Sequence, residues 1–87
     1  MSANVTVTVY TRAGCTLCDR AITTIERVTD RIEVVVDIDV VDVDRDPALR
    51  NQYSDRLPVI FIDDKLAFEY YVDEYSIENA LRRAAGT

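Results

Sequence analysis

The chain has no histidine, and it holds only two cysteines, two glycines and two prolines. The missing histidine removes Cys–His nucleophilic catalysis, histidine-containing metal sites and imidazole acid–base chemistry. Two cysteines cannot build the disulfide framework that many small domains use. A bridge between Cys15 and Cys18 would close a very small loop and remove little entropy from the unfolded chain. No run approaches the length of a membrane span, and no internal repeat or linker interrupts the sequence. The start of the chain shows neither a basic segment nor a continuous apolar one, so no signal peptide is expected. A cytoplasmic location follows as the expectation, since a reducing compartment suits a cysteine pair that cycles. Basic residues number 10 against 16 acidic ones, for a net charge of −6, and they are scattered, so nucleic acid is not an expected partner.

Eighty-seven residues make one domain, spanning 1–87, with a modest core. Its two cysteines stand in Ala13-Gly14-Cys15-Thr16-Leu17-Cys18-Asp19. Before them, Val5, Val7 and Val9 alternate with Thr6, Thr8 and Tyr10, the period-2 pattern of a strand. After them, Cys18, Ala21, Ile22, Ile25 and Val28 recur at helical spacing and predict a helix over 16–29. The pair therefore sits where a strand hands over to a helix. A helix start offers free N–H groups and partial positive charge, and both stabilise a thiolate, the reactive form of cysteine. Cys18 lies on the apolar stripe and should face the protein body. Cys15 precedes the first turn and should be more exposed, as a nucleophile and its resolving partner require.

Further on, the valine- and aspartate-rich stretch 32–44 is too long for an ordinary strand. Its alternation slips at Val40-Val41, so either a bulge or a strand end there would absorb the extra residues. Asp46-Pro47 reads as an N-cap and first position of a short helix, Pro47–Tyr53. Residues 57–62 and 65–71 form a hairpin about Asp63-Asp64. Asp73 caps a last helix over 74–85, with Ile77, Ala80, Leu81 and Ala84 inward, arginines late and Gly86 ending it. One of Tyr70 and Tyr71 should pack in the core and the other face water. Asp42-Val43-Asp44-Arg45-Asp46 mimics the start of a calcium loop, but Pro47 takes the required glycine position, so a solvated acidic face is expected. The element order is β-α-β-α-β-β-α, an α/β architecture with a four-stranded mixed sheet flanked by helices.

A Cys-x-x-Cys near a βαβ pattern reads as a thioredoxin-like redox motif. More narrowly, Tyr10-Thr11-Arg12-Ala13-Gly14-Cys15-Thr16-Leu17-Cys18 followed by Leu57-Pro58-Val59 resembles the glutaredoxins, and among them small bacterial glutaredoxin-like proteins with a Gly-Cys-x-Leu-Cys motif. The resemblance covers nearly the whole chain. It implies a thioredoxin fold, a cis peptide before Pro58, and Leu57 backbone groups turned towards Cys15 so that an extended substrate segment can pair with them. It also implies a substrate-binding role for Arg12, for Leu57 and Pro58, and for Asp73 at the last helix start. The chain departs from glutathione-using glutaredoxins in one respect: no glycine pair precedes Asp73, where Tyr70 and Tyr71 stand. Close backbone approach, which glycine permits, is thereby hindered.

These readings lead to one expectation and two rivals. The expectation is a thiol–disulfide oxidoreductase with a redox-active Cys15–Cys18 pair, without cofactor or metal, acting as a monomer in electron transport between an external reductant and a disulfide of a protein or small thiol. One rival is a Cu(I)-binding module of βαββαβ order, since two thiolates suit Cu(I). The other is a redox-inert thioredoxin-fold interaction domain.

Overall fold

The computed structural model describes residues 4–86. The alternating valines form the centre of a four-stranded sheet of order β2-β1-β3-β4. Strand β1 (Asn4–Thr11) pairs in parallel with β2 (Val35–Asp42) and antiparallel with β3 (Val59–Ile62). Strand β4 (Lys65–Glu69) closes the hairpin on β3. Val5, Val7 and Val9 are fully buried, each contributing about 1.5–3 kcal/mol of burial.

Helix α1 (Thr16–Arg31) carries β1 back to β2, which is why these two strands run parallel. Its buried Ala21, Ile25 and Val28 cover the valine face together with Ile77 and Leu81 of helix α3 (Glu74–Ala84). Ion pairs tie the two helices at their surface, Arg27 to Glu74 at 2.8 Å and Arg31 to Glu78 at 3.0 Å. Helix α2 (Pro47–Tyr53) lies against the other face at one end, where Tyr53, Val43, Leu57, Val59 and Cys18 form a second cluster.

Capping follows the sequence. Asp46 accepts from the Ala48 N–H, and Asp73 from the Ser76 N–H. Gly86 ends the chain's last turn at φ +87°.

One open alternative is decided and one expectation is corrected. Of the two readings of the 32–44 stretch, the strand end is the one present: β2 ends at Asp42, and Val43–Arg45 form a 3-10 turn that Asp42 caps through the Asp44 N–H. A bulge sits instead in the hairpin, between Ile60 and Phe61. Neither Tyr70 nor Tyr71 enters the core, because β4 stops at Glu69 and the chain turns outward through Tyr70 at φ +67°.

Candidate active site at the β1–α1 junction

After Thr11 the chain turns tightly, with the Cys15 N–H donating to the Arg12 carbonyl at 3.4 Å. Gly14 sits at φ +76° within this turn, a left-handed conformation that a side chain disfavours. Cys15 is the N-cap of α1, and its Sγ accepts from the Cys18 N–H at 3.1 Å. Its sulfur therefore occupies the place where a capping oxygen normally stands, at the positive end of the helix. Cys15 and Cys18 are joined by a disulfide with Cα atoms 5.2 Å apart. Cys18 is fully buried, while Cys15 remains partly exposed at the edge of the second cluster. The difference in exposure expected of the pair is present.

Leu57 packs in the same cluster as Cys18, and the Leu57-Pro58 bond is cis. The fold thus brings Cys15, Cys18 and the Leu57-Pro58 segment together from regions distant in sequence. Pro58 donates no hydrogen bond, and its carbonyl accepts from the Tyr70 N–H at 2.9 Å. The Tyr70 hydroxyl donates to the Asp55 carbonyl at 2.9 Å. Tyr70 therefore fastens the turn after β4 to the segment that leads into Pro58.

Arg12 leaves the β1 end beside Cys15, but its guanidinium is committed elsewhere. It donates in a fork to Asp44, Nη2 to Oδ1 at 2.8 Å and Nε to Oδ2 at 3.3 Å. This contact holds the Asp44 carboxyl below the ordinary carboxylate range. Asp73 is likewise committed, capping α3, and the hydrogen bonds with Ser76 lower its pKa. Asp73 and the first turn of α1, Thr16 and Leu17, line one groove.

In the same cluster as the disulfide stand three aromatic rings that the sequence pattern did not bring together. Tyr10 stacks on Tyr53 with centroids 4.5 Å apart, and Phe61 meets both edge-on. Burial, then Tyr53 and Asp39, push the Tyr10 hydroxyl pKa up. Arg56 lies over the Tyr53 ring at 5.2 Å and pairs with Glu69. No sequence signal joins these residues, because each comes from a different element. The pairing of Asp44, read from the sequence as part of a solvated acidic face, with Arg12 was missed for the same reason: the two are distant in sequence.

Among the described residues, no group of three or more histidine, cysteine, aspartate or glutamate side chains is placed to hold a metal ion. The aspartates of residues 42–46 serve instead as caps and as the Arg12 partner. The βαββαβ order of the copper-binding rival is not the observed order, which ends in a hairpin and a helix. No helix among the described residues is long and apolar enough to cross a membrane.

A mixed four-stranded sheet with a Cys-x-x-Cys at the β1–α1 junction and a cis proline before β3 defines a thioredoxin-like fold with a disulfide-capable pair. Comparison with solved structures agrees. A thioredoxin from Halobacterium salinarum superposes with a TM-score of 0.63 over 95% of this chain and 76% of its own, at 22% identity. A protein of Nitrosomonas europaea known by solution NMR gives a TM-score of 0.76 at 28% identity, covering 93% of this chain and 95% of the other. An uncharacterised protein of Mycobacterium tuberculosis is 30% identical over 81 residues, 90% of this chain and 84% of that protein. Residues 6–82 match the glutaredoxin-like domain (DUF836), and the chain belongs to that family.

Proposed function

We propose that the protein is a thiol–disulfide oxidoreductase in which Cys15 is the nucleophile and Cys18 the resolving thiol. The observation that carries this is the Cys15 sulfur at the helix start, partly exposed, with the Cys18 sulfur buried behind it. A thiolate in that position is favoured by the N–H it faces and by the helix dipole. In the reduced protein, the Cys15 thiolate attacks one sulfur of a substrate disulfide. A Cys15–substrate bond forms, the substrate S–S bond breaks, and the second substrate sulfur leaves as thiolate. The Cys18 thiolate then attacks the Cys15 sulfur. The Cys15–Cys18 bond forms, and the first substrate sulfur leaves as thiolate. Two electrons have passed to the substrate, and the Cys18 proton has passed to solvent. An external reductant, a thioredoxin-reductase-like enzyme or a small thiol, restores the dithiol.

Leu57 and Pro58 offer backbone beside the pair for an extended substrate segment. Arg12 reaches a substrate carboxylate only by releasing Asp44. With Asp73 occupied as a cap and tyrosines at 70 and 71, the site favours a disulfide of a protein, or a small thiol other than glutathione. We place the reaction in the cytoplasm, with the protein acting as a monomeric single domain.

Thiol trapping tests the order of attack. Cys18→Ser should accumulate a mixed disulfide through Cys15, and Cys15→Ser should be inactive towards disulfide substrates. Trapping through Cys18 in the Cys15→Ser protein would reverse the assignment, and no turnover by the wild-type chain would end it.

A further inference from the structure

Strand β3 starts at Val59, opposite Glu69 of β4, so residues 54–58 precede the sheet. The backbone bonds of this segment run back to α2 and across to the turn after β4. The Ser54 N–H donates to the Arg50 carbonyl at 3.0 Å and the Arg56 N–H to the Tyr53 carbonyl at 2.9 Å, while the Pro58 carbonyl accepts from the Tyr70 N–H at 2.9 Å. Leu57 differs. Its side chain is buried in the cluster that holds Cys18, and its own N–H and C=O have no hydrogen-bond partner among the described residues.

Arg56 adjoins it, and the Arg56 guanidinium is engaged on three sides. Nη1 donates to the Glu69 carboxylate on β4, Nη2 donates to the Gln52 carbonyl in α2 at 3.2 Å, and the group lies over the Tyr53 ring, 5.2 Å from its centroid. A planar cation held at two edges and one face has its orientation fixed. The Arg56 and Glu69 side chains are 36% and 30% exposed, against 59% and 38% for Arg27 and Glu74, so solvent screens the first pair less. Tyr53 in turn stacks on Tyr10 in the cluster of Cys18 and Leu57. Arg56 thereby ties the end of β4, the end of α2 and the aromatic stack to the residue beside Leu57.

We propose that Arg56 is a positioning residue: partnered by Glu69, it holds the Leu57 backbone groups where an extended substrate segment pairs with them. The inference rests on the oxidoreductase function for its role. Arg56 acts through Leu57 rather than on the sulfurs. Backbone that is fixed before a substrate arrives need not be ordered on binding, and affinity gains by that difference. Without the Arg56 tie the segment keeps its bonds to Tyr70 but loosens next to Leu57. Binding of a peptide chain should suffer, and the sulfur chemistry should not.

Two measurements on the full chain separate positioning from chemistry. The first follows single-turnover oxidation of the reduced protein by two disulfides that share one thiol: hydroxyethyl disulfide, and a seven-residue peptide whose central cysteine is disulfide-bonded to mercaptoethanol. Arg56→Gln and Glu69→Gln should each raise the half-saturating peptide concentration about fivefold or more and keep the maximal rate within about twofold. Neither should change the rate with hydroxyethyl disulfide. The double variant should be no worse than Arg56→Gln alone, because the same contact is lost in both. Lys65→Gln, at the other end of β4, should leave all rates as they are. An unchanged half-saturation in Arg56→Gln, equal losses with both disulfides, or additive losses in the double variant overturns the positioning role. The second measurement needs no reaction. The serine version of the peptide, titrated into the oxidised 15N-labelled protein, should shift the Leu57 amide and bind about fivefold or more weakly to Arg56→Gln. No shift at Leu57 in the wild-type chain, or equal binding to the variant, also overturns it. The expected weakening with no reaction of either disulfide upholds Arg56 as the residue that positions Leu57 and sinks the oxidoreductase function instead.

Discussion

The backbone N–H of Cys18 points at the sulfur of Cys15 from 3.1 Å. The second cysteine thus serves the first twice, through its sulfur and through its amide. On reduction, this N–H and the free end of α1 face the Cys15 sulfur alone. Both favour the thiolate of Cys15, the reactive form of the thiol. In the reduced protein, alkylation of Cys15 should outpace that of Cys18 at neutral pH, as followed by mass spectrometry over a pH series. Equal rates, or a faster Cys18, would show that the buried sulfur is the reactive one.

Arg12 and Asp44 make the next relationship testable. The pair neutralises the cation nearest the β1 end. Asp44→Asn should release Arg12, and an uncompensated cation favours the Cys15 thiolate. Both partners are exposed, so the gain in alkylation rate at neutral pH should be small, about twofold, and should fade with added salt. Arg12→Gln in the same background should remove it.

Acid should loosen the α1–α3 surface. Arg31 and Arg27 hold Glu74 below its ordinary value of 4.5, and Arg31 and Arg82 do the same for Glu78. A depressed folded pKa stabilises the native state above the unfolded value, and that contribution is lost as pH falls through the folded one. Thermal unfolding should therefore show a falling midpoint below about pH 4.5, the ordinary glutamate range. The Glu74→Gln, Glu78→Gln double variant should show a shallower fall, with a lower midpoint at pH 7. An unchanged pH slope would assign the acid sensitivity to other carboxylates.

Gly14→Ala isolates backbone conformation from packing. An added Cβ meets nothing within 4 Å, yet φ is +76°. The cost is therefore conformational alone, about 1–2 kcal/mol. Urea unfolding of the oxidised protein should read that loss. A neutral result would mean that the turn relaxes to a negative φ.

Glutathione should be a poor reductant. Tyr70 adopts the left-handed conformation that glycine adopts freely, and its ring and that of Tyr71 stand beside the α3 start. Reduction of one mixed-disulfide peptide should be slow and unsaturated with glutathione, and faster with a thioredoxin-reductase system. The Tyr70→Gly, Tyr71→Gly double variant should gain glutathione-driven turnover. Efficient, saturable turnover of the wild-type chain by glutathione alone would refute the steric argument.

Several of these features are local and were legible in the sequence. The valine alternation fixes β1, the Ala21–Ile25–Val28 spacing fixes the inward face of α1, and a Cys-x-x-Cys between them must lie at the strand–helix junction, with one sulfur inward. The caps Asp46 and Asp73 act over two or three residues, so composition alone places them. The tertiary structure decided what depends on distant partners. Arg12 belongs to Asp44 because β1 and β2 run parallel and end side by side, a register no local pattern encodes. Tyr70 stays outside the core because β4 ends one residue earlier, and its hydrogen bonds go to Pro58 and Asp55. The sequence by itself determined where the sulfur pair stands and that no histidine assists it. The fold decided which charges and rings surround the pair, because side chains meet there only after the sheet has set their elements in order.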